Sequence, residues 1–317
     1  MKLYHLPYFK SLSRCSLGLF VLAMLWGAGE AFAEPGPDAQ RFGPWVWGVA
    51  GGAVHQTGSD LQDSDGSVSV SRYFTELSLG YAADRRNSVS LSLGAGESQY
   101  DFSSDSFGGL DPWDDVRDYR VSLPIRFAPS DSTSVFIIPS VRSYGEEGTS
   151  LNDGRTEGVL AAAGWTLSDK LTLGPGFGWF TELGGGDNFF PILLIDWKIT
   201  DKLSLSTGRG LAASRGPGFT LDYAASKNWS AGITARYEEI RFALDADGSN
   251  PEAYVEDSSV PLLLTAQYSP WPMTSISALA GIEFAGKLKV EDGSGSRLAR
   301  SDIDNPFVFG LVFSSRF

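Results

Sequence analysis

Cysteine is almost missing from this chain, and histidine nearly so: there is one Cys and there are two His in 317 residues. The first 33 residues account for Cys15 and one histidine. They read as an export leader, with a basic start (Lys2, Lys10, Arg14), an apolar run over 17–28 and the small-x-small stretch Ala31-Phe32-Ala33. That run is shorter than the roughly 20 residues a membrane-spanning helix needs. Cys15 precedes the run and so cannot be a lipoprotein cysteine. Once the leader is removed, no cysteine remains and His55 is the only histidine. A disulfide framework and a His/Cys zinc site are both excluded. Basic charge is short as well. Without the three basic residues and Glu30 of the leader, 22 basic face 37 acidic side chains, which argues against nucleic acid as a partner. No run of 18 apolar residues follows the leader, so helical spans are not expected.

What is present is alternation with a period of 2, the strand signal. Ile276, Ala278, Ala280, Ile282, Phe284, Gly286, Leu288 and Val290 share one phase, against Ser275, Ser277, Glu283, Lys287 and Lys289 on the other. The last segment repeats it, with Phe307, Phe309, Leu311, Phe313 and Phe317 on one phase. Connector lengths decide between a soluble sandwich and a membrane barrel. Short connectors at 83–87, 129–132, 168–170, 200–202, 226–228 and 269–273 alternate with those near 58–66, 102–115, 145–154, 184–187, 214–216, 244–256 and 291–303. Both chain ends fall on the short-turn side. This predicts an all-β, antiparallel up-and-down transmembrane β-barrel over 44–317, preceded by a linker at 34–43. About 14 strands are expected, with 12–16 compatible. Trp165, Trp197, Trp229 and Trp271 each lie within a few residues of a short turn, as an interfacial aromatic girdle requires. Pro124, Pro139 and Pro191 fall inside strand patterns and mark expected bulges or strand ends. The apolar phase changes between Val68–Val70 and Leu77–Tyr81, which predicts a bulge near Arg72.

The terminal Phe317, behind Phe307, Phe309, Leu311 and Phe313, resembles the C-terminal signature of outer-membrane barrels. That resemblance implies an outer-membrane location and recognition of Phe317 by the barrel-assembly machinery. The strand-turn-strand stretches at 167–174 and 199–206 look like units of uncharacterised outer-membrane barrel families that carry a domain of unknown function. The likeness implies fold and location and no substrate.

Candidate chemistry is sparse. His55 sits at the top of the first strand with no serine two residues away, so no catalytic residues and no enzyme activity are expected. The acidic groups around Asp60–Asp65, Asp111–Asp118 and Asp245–Asp257 read as solvated loops, with divalent bridging to lipopolysaccharide phosphates as the functional alternative. No metal site and no cofactor is expected. The inward phase carries the remaining signal. Charges facing hydrocarbon cost roughly 2–4 kcal/mol for a cation at midplane. Arg120, Arg126, Glu182, Asp196, Glu283 and Lys287, with Arg142, Arg236 and Glu238, are therefore expected to line a lumen. Opposed charges there can border a water-filled pore or pair and close it. Porin-like passive passage of small solutes leads, with a structural or adhesive barrel with a closed lumen acting through acidic outer loops as the alternative; lateral movement of a hydrophobic ligand through the wall is a third option, disfavoured because the linker at 34–43 is short for a plug. Expected partners are outer-membrane lipid and lipopolysaccharide.

Overall fold

The computed structural model describes residues 44–113, 115–207 and 218–317. The expected leader (1–33) and linker (34–43) lie outside the described residues. Seventeen strand segments follow one another: β1 (Trp45–Asp60), β2 (Ser67–Ala82), β3 (Ser88–Phe102), β4 (Val116–Ser122), β5 (Ile125–Ser130), β6 (Thr133–Glu146), β7 (Arg155–Ser168), β8 (Leu171–Thr181) and β9 (Asp187–Lys198). The second half contains β10 (Leu203–Thr207), β11 (Gly218–Ala224), β12 (Trp229–Arg236), β13 (Glu238–Ala243), β14 (Tyr254–Trp271), β15 (Thr274–Glu291), β16 (Arg297–Ile303) and β17 (Phe307–Arg316). Three pairs (β4/β5, β12/β13 and β16/β17) are single staves interrupted for one to three residues. The result is a closed antiparallel barrel of 14 staves.

Closure runs through β1 and β17, paired from Gly48↔Arg316 to Gln56↔Val308. Trp47 and Phe317 exchange two backbone hydrogen bonds at the seam. Closure matters because a strand edge facing lipid would leave backbone N–H and C=O groups unpaired where no water can reach them.

The prolines are placed by the ladder. Pro124 breaks β4 from β5, and the Leu123 N–H donates to the Pro139 carbonyl across the same rung. Pro139 itself lies within an unbroken β6 register. Pro191, expected at a bulge or strand end, is instead inside β9, paired with Phe177. Among the described residues the β9–β10 ladder covers Asp196, Trp197 and Lys198. Gly174 stands beside Pro175 where a Cβ would come within 1.7 Å of the Ala163 carbonyl oxygen. Gly174→Ala must push two backbones apart. It is expected to destabilise the barrel by about 2 kcal/mol or more, read as a lowered midpoint in urea unfolding of the lipid-inserted protein.

In the membrane zone the outer face is apolar and exposed: Leu91 and Leu93, Tyr119 and Val121, Phe189 and Leu193, Leu262 and Leu264, Phe309 and Leu311. Trp165, Trp197, Trp229 and Trp271 are all exposed near the short turns, joined by Trp45 and Trp47. Trp229 packs on Tyr268 at 4.8 Å between ring centroids. One of those turns is tied by Asp84, whose carboxylate accepts bonds from the Arg86 and Asn87 amides and the Asn87 side chain. These bonds, the Asn87 side chain first, hold its pKa below the usual carboxylate range.

Above this zone the barrel turns inside out. On β2, Val68 and Val70 are buried, while Leu77 and Tyr81 on the opposite phase are exposed. The expected bulge near Arg72 is not there. The β1–β2 register runs unbroken from Trp45↔Tyr81 to Gln56↔Val70, and β2–β3 is continuous throughout. The apolar phase changes because the surroundings change, from lipid outside to a packed core inside. On β15 the reverse occurs. The even-numbered apolar phase looks continuous, yet Ala285 adopts φ 53° and the β14–β15 register slips between Ser258 and Val260. Below this bulge Ile276, Ile282 and Phe284 face lipid; above it Leu288 and Val290 are in the core. A bulge shifts the facing of every later residue by one.

Candidate functional site: the barrel interior

The interior has three levels. The lowest is a cavity of about 960 Å³ at the short-turn end. Inward residues of β5–β12 line it, among them Arg126, Asp196 and Asp222, with Arg86, Lys170 and Asp201 from the turns. Phe136, Ile138, Ala162 and Leu194, backed by Leu160, form an apolar cluster on this same wall.

The middle level is a belt of buried charge. Arg72 on β2 bonds Asp257 on β14 at 2.7 Å, and the Tyr100 hydroxyl donates to the same carboxylate oxygen at 2.9 Å. The two strands are separated in the wall by β15, β17 and β1, so this pair bridges the lumen rather than adjacent rungs. Arg72 also reaches Gln56 at 3.3 Å. On the far side Asp118 takes Arg142 at 2.5 Å with Arg120 at 4.0 Å. Arg236 pairs with Glu238, its neighbour on the same face. Glu283 and Glu76 complete the buried belt.

The top level is dry. One bridge, Ala243↔Gly145, joins the end of β13 directly to β6. It bypasses β7–β11, and the outer barrel closes as nine staves: β1, β2, β3, β4, β6, β13, β14, β15 and β16. The gap between β1 and β16 is closed by Leu61↔Ile303. About eight strands leave an interior just wide enough for side chains to fill, whereas fourteen leave room. The narrowing therefore converts a lumen into a core. All nine staves or their ends contribute: Leu61, Val68, Tyr100, Val116, Tyr144, Phe242, Val255, Leu288 and Ala299 are members. The 103–113 segment between β3 and β4 adds Phe107 and Trp113, 0% and 5% exposed.

The expected lumen residues separate under this geometry. Arg120, Arg142, Arg236, Glu238 and Glu283 sit in the belt, and Arg126 and Asp196 line the lower cavity. Lys287 does not face inward. It stands between buried Gly286 and Leu288, past the Ala285 bulge, on the outer face. Glu182 lies at the rim of β8 and bonds Arg241 at 3.5 Å. Arg241 is on the opposite phase of β13 from the buried Ile240 and Phe242, so Glu182 rests on the outside of the nine-stave ring. Arg72 and Tyr100 are not among the expected lumen residues, and Asp257 and Asp118, expected in solvated acidic loops, are buried on β14 and β4 instead, because nothing local brings β2 to β14.

The fold also brings His55 a serine that spacing concealed: Nδ1 lies 2.9 Å from the Ser71 hydroxyl. No acid bonds the ring among the described residues, and the ring packs on Phe309 at 5.3 Å. Both residues lie in ladders paired on both edges, which leaves no free amides for an oxyanion. Among the described residues no group of His, Cys, Asp and Glu is placed to hold a metal ion.

No family model matches the chain, and no curated protein matches it. Solved structures do. A FadL homologue from Pseudomonas aeruginosa aligns at 14% identity and TM-score 0.43, over 93% of this chain and 98% of that one. A TodX monoaromatic hydrocarbon channel variant aligns at 8% and 0.46, over 94% and 96%. The KdgM porin aligns at 8% and 0.36, over 85% and 99%. Values of this size transfer neither substrate nor mechanism. A closed 14-stave barrel with an apolar outer belt places the protein in the outer membrane.

Proposed function

We propose that this barrel passes small solutes passively through its charged lumen and rests closed at its outer end. The observation that carries the reading is the change from fourteen staves to nine. The wide part holds a charged cavity open toward the short-turn side, as a conduit needs, and the narrow part is a stopper. Selectivity would come from Arg126 and Asp196 in the cavity and from the belt residues Arg120, Arg142, Arg236, Glu238 and Glu283 above it. We further propose that Phe317 serves recognition by the assembly machinery and that lipopolysaccharide surrounds the outer rim.

The test is single-channel recording of the purified protein in a planar bilayer under a salt gradient. Expected are infrequent openings from a silent baseline, with ion selectivity shifted toward cations by Arg126→Ala and toward anions by Asp196→Ala. The dry outer core also favours a second reading, a permanently closed barrel that acts through its outer loops. A folded, heat-modifiable protein that never conducts would select that reading over the first.

A further inference from the structure

We infer that the 103–113 segment is the gate of the outer mouth, with Phe107 and Trp113 as the stopper; this rests on the solute-channel reading above. Most of the outer core is supplied by side chains fixed on staves, which cannot leave without breaking ladders. Phe107, Leu110 and Trp113 are different, since they enter from a connection and can leave while the nine-stave ring stays paired.

Trp113 fills the centre of the mouth. Its ring meets Tyr100, Phe102, Phe107 and Phe242 at centroid distances of 5.6, 4.8, 5.6 and 5.9 Å. Its Nε1–H is buried and has no hydrogen-bond partner among the described residues. A buried donor left without an acceptor weakens the closed state, so the indole itself is held by apolar contacts. Among the described residues the polar ties of the segment tip are local or single bonds, the Gly109 N–H to the Ser106 hydroxyl among them. Phe107 and Leu110 bond each other around Gly108 and Gly109, both at positive φ. The Gly108 N–H donates to the Ser64 hydroxyl at 3.1 Å, and the Asn250 side chain donates to the Asp111 carbonyl at 2.9 Å. The stopper is also connected to the belt. Tyr100 packs on Trp113 and donates to Asp257, so withdrawal of the indole uncovers the residue that completes the bridge across the lumen.

The geometry supplies its own test. A Cβ at Gly108 would lie 2.8 Å from the Ala299 Cβ on β16. A retreat of about 1 Å brings the pair to disulfide distance. The only native cysteine is Cys15, in the leader. In bilayer recordings the oxidised Gly108→Cys/Ala299→Cys protein is expected to be silent, and reductant should restore openings. A second variant, with 104–113 replaced by a short Gly-Ser link, is expected to raise open probability at least about tenfold. Equal conductance with the disulfide formed and reduced, and no gain on shortening, would overturn the gate and leave the channel standing. Silence in every variant, with heat-modifiability retained, would overturn the channel reading and the gate with it.

Discussion

Leu288→Lys is expected to destabilise the protein by about 3–5 kcal/mol, whereas Lys287→Leu, one residue away, should change stability by no more than about 0.5 kcal/mol. Leu288 is in the centre of the outer core. A lysine there would bring an ammonium into a space closed by nine staves, with no acid reserved for it. Lys287 points out of the same rung, past the bulge at Ala285. The unbroken alternation of the sequence assigns the opposite facing to both residues, so the pair of substitutions tests the bulge directly. The measurement is urea unfolding of the lipid-inserted protein, followed by tryptophan fluorescence and by heat-modifiability on gels. A tolerated Leu288→Lys together with a damaging Lys287→Leu would show that β15 runs straight.

The second large effect is expected at the lumen bridge. Asp257→Ala takes from the buried Arg72 guanidinium its bonded carboxylate and leaves Gln56 as its hydrogen-bond acceptor among the described residues. It also takes the acceptor from the Tyr100 hydroxyl. Removing one partner of a buried ion pair costs about 3–5 kcal/mol, while removing both costs much less. Arg72→Met combined with Asp257→Leu is therefore expected to regain most of the loss, and a double-mutant cycle should give a coupling well above the 0–1 kcal/mol of a surface pair. If the four proteins instead show additive losses, the two side chains do not depend on each other and the lumen is not bridged at this level. Recorded in bilayers, the double variant also separates stability from conduction. It should fold nearly as well as the parent, yet open more readily, because the ionic bar across the lumen is gone.

The strand count, the positions of the described turns (the expected connector at 214–216 lies outside the described residues) and the exposed tryptophans were legible because each depends on local chemistry. Alternation selects strands, Asp, Asn, Gly and Ser select turns, and an aromatic ring near a short turn selects an interface. Facing was less legible. Near Arg72 the apolar phase changes while the backbone runs on; near Ala285 the phase runs on while the backbone shifts. Alternation reports only which residues are apolar. Which side of the wall is dry depends on height, and height is not written in any one strand. Lys287 and Glu182 were placed in the lumen for that reason. Arg120, Arg142, Arg236, Glu238 and Glu283 sit below the level at which the wall inverts, where strand phase and burial agree. The bridge from Arg72 to Asp257 and the contact of His55 with Ser71 were not visible, since partners 185 and 16 residues apart meet only through register.

By itself, then, the sequence indicated an up-and-down barrel of about fourteen staves, with twelve to sixteen compatible, and an apolar outer belt. Lipid on one side and obligatory backbone pairing allow no other solution for such strands. Only the tertiary structure decided that the barrel does not keep its width. One rung between β13 and β6 joins staves across the ring, and the interior above it is filled by side chains that include Tyr100, Trp113 and Phe242. Circumference is a property of the closed ring, set by which staves meet across it, and no segment of the chain carries that information alone.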